Sequence, residues 1–210
     1  MKKINTTVIA LLITIFSIAQ QYNFKNFDKL QLNSINGSVD IELGKDFKID
    51  VQGLPKNDSL ITIKILKENC LAITLKKGLS WDELKKINLK IKISMPEISK
   101  LYNNSNADIV VNNFNGRYFG IENNGNGNVE ILGRMIDLLD IENNGNGNTN
   151  AKNIIVKKTN ITKNGNGDVL IKTNDNFEAS LSGNGDIVNY GTGKAIILKQ
   201  SGNGQVIYRN

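Results

Sequence analysis

Apolar and polar residues alternate along most of this chain, and one short polar phrase interrupts the alternation at regular intervals. Residues 121–131 read IENNGNGNVEI; the phrase returns as IENNGNGNTNA at 141–151 and as ITKNGNGDVLI at 161–171. Anchored on its first glycine, the phrase falls at Gly125, Gly145, Gly165, Gly183 and Gly202, with spacings of 20, 20, 18 and 19 residues. Two weaker copies extend the series. NNSNADIVV (103–111) puts Ser105 twenty residues before Gly125, and NSINGSVDI (33–41) fits with an insertion following it. An internal period of this length marks a stacked architecture.

One column of the phrase never varies: Asn36, Asn106, Asn126, Asn146, Asn166, Asn184 and Asn203. The next reads Gly37, Ala107, Gly127, Gly147, Gly167, Gly185 and Gly204. Asn followed by Gly tolerates positive φ well, so the pair predicts a tight corner with left-handed backbone. Apolar residues alternate on either side: Ile121 before and Val129/Ile131 after, then Leu139/Ile141, Thr149/Ala151, Val169/Ile171, Phe177/Ala179, Ile196/Leu198 and Val206/Tyr208. That is strand, corner, strand, with one face inward. Antiparallel hairpins closed by each phrase would give no use to identical surroundings every twenty residues. Repeats lying one on another would stack like residues about 4.8 Å apart, in ladders of Asn over Asn and Ile over Ile. The pattern therefore predicts an all-β parallel β-solenoid, or β-helix, of about 20-residue coils.

Residues 41–102 differ. FKIDV (47–51), LITIKI (60–65), CLAITL (70–75) and INLKIKISM (87–95) alternate cleanly but lack the phrase, and GLPKND and KENC separate them as turns. They predict longer, partly antiparallel strands inserted after the first coil, with WDELKK (81–86) as a short helix or loop. Regular coils then occupy 103–210, and 20–210 reads as a single domain.

The first nineteen residues change the picture of location. Lys2 and Lys3 precede the apolar run VIALLITIFSIA (8–19), with Ser17 and Ala19 placed before a cut ahead of Gln20. This predicts a signal peptide over 1–19; the run is too short for a membrane span. No cysteine follows it to take a lipid, so the mature chain is expected to be secreted or at the cell surface without a transmembrane anchor. Its loss lowers the formal charge from +6 to +4, a mild excess that attracts acidic polysaccharide or lipid head groups weakly and in a salt-dependent way. Cys70 is the only cysteine, which precludes an intramolecular disulfide, and it reads as a small strand residue. Histidine is absent, which removes every mechanism that needs an imidazole.

Three chemistries could use the phrase. Calcium-binding β-rolls repeat every nine residues, whereas the acid column here reads Ser38, Asp108, Asn128, Asn148, Asp168, Asp186 and Gln205, with only Asp168 and Asp186 as adjacent anions. One pair supplies too few oxygens for a dedicated cage, and no metal or other cofactor is expected. The same two carboxylates, stacked near 5 Å, could serve a polysaccharide hydrolase or lyase, but a regular corner gives them neither a cleft nor unlike surroundings. Surface recognition remains: alternation points Tyr118 and Tyr190 outward, where aromatic rings suit glycan or protein contact. With three arginines and no aromatic-basic interleaving, nucleic acid is not an expected partner.

The order of these parts resembles a known family. A signal peptide, then NSINGSVDIEL, then KIKISMPEISKLYNNSNADIVV, then repeated SGNGDI-like phrases is similar to the auto-transporter adhesin, head GIN domain family of secreted bacterial proteins common in Bacteroidetes. The resemblance implies a right-handed parallel β-helix at the cell exterior and brings no catalytic residues with it. The resulting expectation is a non-enzymatic adhesin-like binding or envelope structural protein, whose partner is an extracellular glycan or surface protein and whose Asn-Gly phrase is a corner device. A polysaccharide-active enzyme is the alternative.

Overall fold

The computed structural model describes residues 20–54, 60–76, 78–79 and 86–209. The predicted signal peptide and most of the WDELKK segment lie outside the described residues. Within them, β1 (Gln20–Tyr22), β2 (Lys29–Asn33) and β3 (Gly37–Leu43) are followed by β4 (Lys48–Gln52), β5 (Ile61–Ile65), β6 (Cys70–Leu75) and β7 (Leu89–Met95). β8 (Lys100–Asn104) leads to the long β9 (Asp108–Asn123) and β10 (Val129–Asn143). β11 (Thr149–Asn150), β12 (Ile155–Lys163), β13 (Val169–Ile171), β14 (Phe177–Leu181), β15 (Ile187–Asn189), β16 (Ala195–Gln200) and β17 (Val206–Tyr208) complete the chain. The fold is all-β, one large and mostly parallel sheet with some antiparallel strands.

Like residues lie over like. β10 pairs in parallel with β9, setting Val129 beside Ile109 and Ile141 beside Ile121, and β12 then sets Ile161 beside Ile141. One ladder continues through β14 to β16, the other through β11, β13 and β15 to β17. Alternate residues of each strand point inward, so Ile109, Val129, Val169 and Ile187 form one buried column and Ile121, Ile141, Ile161 and Ala179 another. β9 and β10 are long enough to serve both ladders, and they turn between them at a double register shift around Gly133, opposite Phe114. Asn113 takes a left-handed φ of 61° at that bend.

The inserted segment reverses the spatial order. β6 and β7 lie parallel to β2 and β3, on the side opposite β8 and β9, so the first repeat sits between the insertion and the second repeat. Asn36 and Asn106, seventy residues apart, thereby become neighbours. β5 then pairs antiparallel with β6, and β4 antiparallel with both β7 and β1, closing this end of the sheet.

Two expectations need correction. The glycines of the phrase were expected at positive φ, yet in the Asn-Gly column only Gly37, at 127°, has it; Gly183 and Gly202, in the earlier glycine column, have 101° and 87°. The physical reason for glycine at Gly127, Gly147 and Gly167 is close approach: a Cβ there would lie 1.9–2.0 Å from the carbonyl oxygen of the residue one repeat earlier. The other concerns β16, where Ile196 and Leu198 were expected to face inward. Ile197 takes the inward place beside Ala179, Ile196 lies over Glu178 on the outer face, and Leu198 is the extra residue of a bulge. A run of three aliphatic residues carries no period-two signal to choose between these registers.

Gly147→Ala should therefore destabilise the protein by about 1–3 kcal/mol or more, because backbone rather than a flexible side chain must move to admit the methyl group. Lys157→Ala, which removes only an exposed ion pair with Asp137, should cost at most about 0.5 kcal/mol. Denaturant midpoints of the two variants check this; equal losses would refute the close-contact account.

Candidate functional site

The phrase builds four hydrogen-bonded columns at one corner. In the exposed Asn column, each Nδ2 donates to the Oδ1 of the repeat before: Asn106 to Asn36 at 3.1 Å, Asn126, Asn146 and Asn166 to their predecessors at 2.8 Å each, Asn184 at 2.9 Å and Asn203 at 3.0 Å. A second exposed column runs from Asn33 through Asn104, Asn124 and Asn144 to Asn164, with bonds of 2.7–3.1 Å. Asn124 and Asn144 also hold the Glu122 and Glu142 carboxylates at 2.8 Å. The third column is that of Asp168 and Asp186. Here each side-chain oxygen accepts a backbone N–H from the next repeat: Asp168 from Asp186 at 2.7 Å, and Asp186 from Gln205 at 2.9 Å. Asn128 and Asn148 accept in the same way, so the two aspartates do what their neutral counterparts do.

The fourth column is buried, and sequence reasoning missed it. Asn103, Asn123 and Asn143 have no exposed surface. Asn123 and Asn143 each donate to two corner carbonyls, of Gly127 with Gly147 and of Gly147 with Gly167, at 3.1–3.4 Å. The alternation that turns Ile121 inward turns Asn123 inward too, and this was the available signal. Lys163 follows in the same column, 1% exposed, with its ammonium donating to the Gly165 carbonyl at 2.8 Å. Burial pushes its pKa below the ordinary 10.5, against the opposing pull of the Asp168 and Asp186 carboxylates.

The predicted tyrosines separate. Tyr190 is half-buried, with the Lys152 ammonium 5.7 Å from its ring centre. Tyr118 is 41% exposed and stands between two grooves. One, of about 500 Å³, is lined by Asp28, Glu97, Ser99, Asn113, Arg117 and Tyr118 among others. The other, of about 340 Å³, takes in Lys100, Tyr118, Asp140, Glu142 and Asn160. Partial burial pushes the Tyr118 phenol up, with the Asp140 carboxylate adding to the shift. Asp140 also accepts from Asn160 at 2.8 Å. Asp168 and Asp186 line neither groove. Among the described residues, no cluster of three or more Cys, Asp or Glu could hold a metal ion, and no helix is long and apolar enough to cross a membrane.

A family model described as putative auto-transporter adhesin, head GIN domain, matches residues 26–193. The chain belongs to this family. Proteins of known structure share its fold: a putative adhesin from Bacteroides fragilis superposes with a TM-score of 0.69 at 21% identity, covering 91% of this chain and 96% of that one. A putative lipid binding protein from Parabacteroides distasonis gives a TM-score of 0.52 at 14% identity, covering 92% and 96%. No curated protein matches the sequence. The family match takes in the grooves beside Tyr118 and the corner columns as far as Asn184, and stops before β16.

The buried Lys163 of this head GIN chain has a consequence for stability. Its folded pKa lies below its unfolded value, so the unfolded chain binds the proton more tightly, and stability rises with pH between the two values. Below the folded value the burial penalty is present in full. The stability of the wild type relative to Lys163→Met should therefore rise as pH is raised from neutral toward 10.5. Denaturation of both proteins across that range measures it; a difference that does not change with pH would contradict the assignment.

Proposed function

We propose that this head GIN protein is an exported, non-enzymatic adhesin built as a right-handed parallel β-solenoid, with 41–102 as an insertion and 103–210 as regular coils. The corner columns are its structural frame, and the outer face around Tyr118 is its binding surface. The supporting observation is the exposed Tyr118 ring at the junction of two grooves that both carry charged and polar side chains. An aromatic face offers apolar contact to the C–H side of a sugar ring, and the surrounding groups supply both kinds of hydrogen-bonding partner. Asp140, Glu142 and Asn160 carry acceptors, while Lys100 and Arg117 carry donors. An extracellular glycan fits this chemistry better than an apolar ligand, and a glycosylated surface protein would present the same groups.

A hydrolase or lyase reading rested on Asp168 and Asp186. Their oxygens accept backbone N–H groups in a regular column away from both grooves, so nothing in their placement favours that reading.

Two measurements test the proposal. On a glycan array, the chain from Gln20 onward should bind a defined set of glycans, and Tyr118→Ala should weaken that binding by about tenfold while leaving the melting temperature unchanged, the size of effect typical of a buried aromatic contact. Binding that survives the substitution moves the site elsewhere, and turnover of a glycan would point to an enzyme. Separately, mass spectrometry of protein recovered from the cell surface or medium should show a chain beginning at or near Gln20. Protein retaining Met1 in the cytoplasm would defeat the proposed location.

A further inference from the structure

We infer that the β16–β17 end of the molecule docks on an anionic lipid surface. This goes beyond the glycan reading and rests on a different part of the chain. β16 pairs only with β14 and β17 only with β15, so the far side of this repeat is unpaired among the described residues. Ile196, Ile197 and Leu198 are 51%, 41% and 64% exposed there, although Ile197 occupies an inward place that is fully buried one repeat earlier at Ala179. Tyr208 folds across the end, its hydroxyl accepting the Ala195 N–H at 3.0 Å and its ring lying 4.2 Å from the Lys194 ammonium.

Three occupants could cover this patch, and charge and geometry choose among them. Residues 187–209 contain Lys194, Lys199 and Arg209 and no acidic residue; the nearest column partners that are acids, Glu178 and Asp186, belong to the repeat beneath. A second copy placed end to end would set three cations against three. A further β-strand is opposed by the bulge at Leu198 and by Lys199 on the edge, both of which are devices that discourage strand addition. A bilayer interface with anionic head groups satisfies both features: the aliphatic side chains and the amphipathic Tyr208 enter the boundary, and the three cations meet the phosphates.

The test uses the chain from Gln20 onward, because the apolar run at 8–19 would itself enter lipid. Flotation with phosphatidylcholine vesicles, with and without phosphatidylglycerol, should show binding only to the anionic ones and its loss at high salt. Each basic residue near such a surface contributes roughly fivefold in affinity, so K194Q/K199Q/R209Q should lose on the order of a hundredfold. Leu198→Ser, at the most exposed of the three positions, should lose several-fold and keep its melting temperature. Equal binding to neutral vesicles, no binding to either, or full binding by Leu198→Ser would overturn the proposal. So would a dimer in solution that Leu198→Ser dissociates, since that assigns the patch to a second copy.

Discussion

Everything in this fold depends on main chain lying directly against main chain at the Asn-Gly corner. Where one repeat crosses the one before it, the Gly145 N–H reaches the Asn123 carbonyl at 2.9 Å, and no space remains for a side chain at Gly147. That contact fixes the register of the strands on both sides. A slip of one residue would turn every inward column outward and would also bring a Cβ against a carbonyl. The asparagine columns follow from the same contact, because like residues are held at hydrogen-bonding distance and amides both donate and accept. The inward isoleucines stack for the same reason. The corner is thus the reference from which both the polar outer columns and the apolar core are set.

How much of this was legible depends on what each residue type can signal. The invariant Asn column was readable from its period, and the structure brings all seven members into one continuous chain of hydrogen bonds. The reason for the adjoining glycines was not readable, since glycine serves equally where φ is positive and where a neighbouring backbone comes too close. Only the stacked geometry separates the two. Asn103, Asn123 and Asn143 are hard to recognise in the sequence because an asparagine close to the turn phrase looks like part of the turn, even though strand alternation places it inward. The Ile196–Leu198 run concealed a bulge for want of any alternation. At the candidate site, alternation correctly exposed Tyr118, but the grooves beside it depend on pairings between residues far apart in sequence, such as Asp28 beside Ser99.

Lys163 shows how tolerant the buried column is. Asn123 and Asn143 satisfy corner carbonyls by donating through a neutral amide, and Lys163 satisfies the Gly165 carbonyl by donating through an ammonium. The donor role is conserved in kind while the desolvation cost differs greatly. The column therefore accepts a neutral amide or an ammonium as its donor, while Leu32 and Leu181, its next members on either side, carry none. The aspartates at Asp168 and Asp186 make the converse point, since their column requires an acceptor and is indifferent to its charge.

A parallel stack cannot end by repeating itself, because each repeat leaves an unpaired edge and an uncovered core. The two sides of the described sheet meet this differently. The insertion reverses strand direction through β4 and β5 and shuts one end with antiparallel pairing. At the other, a bulge and a lysine blunt the edge of the described strands. This asymmetry sets a geometry for function. Tyr118 lies on β9, and the steps from β9 through β10, β12 and β14 to β16 amount to about 19 Å at the usual strand spacing. An end resting on lipid would hold the Tyr118 grooves that far from the surface, on the side of a frame stiffened by hydrogen-bonded columns. With one end on lipid and one lateral recognition face, such a molecule would act as a spacer as well as a binder, and the repeat number would set its reach.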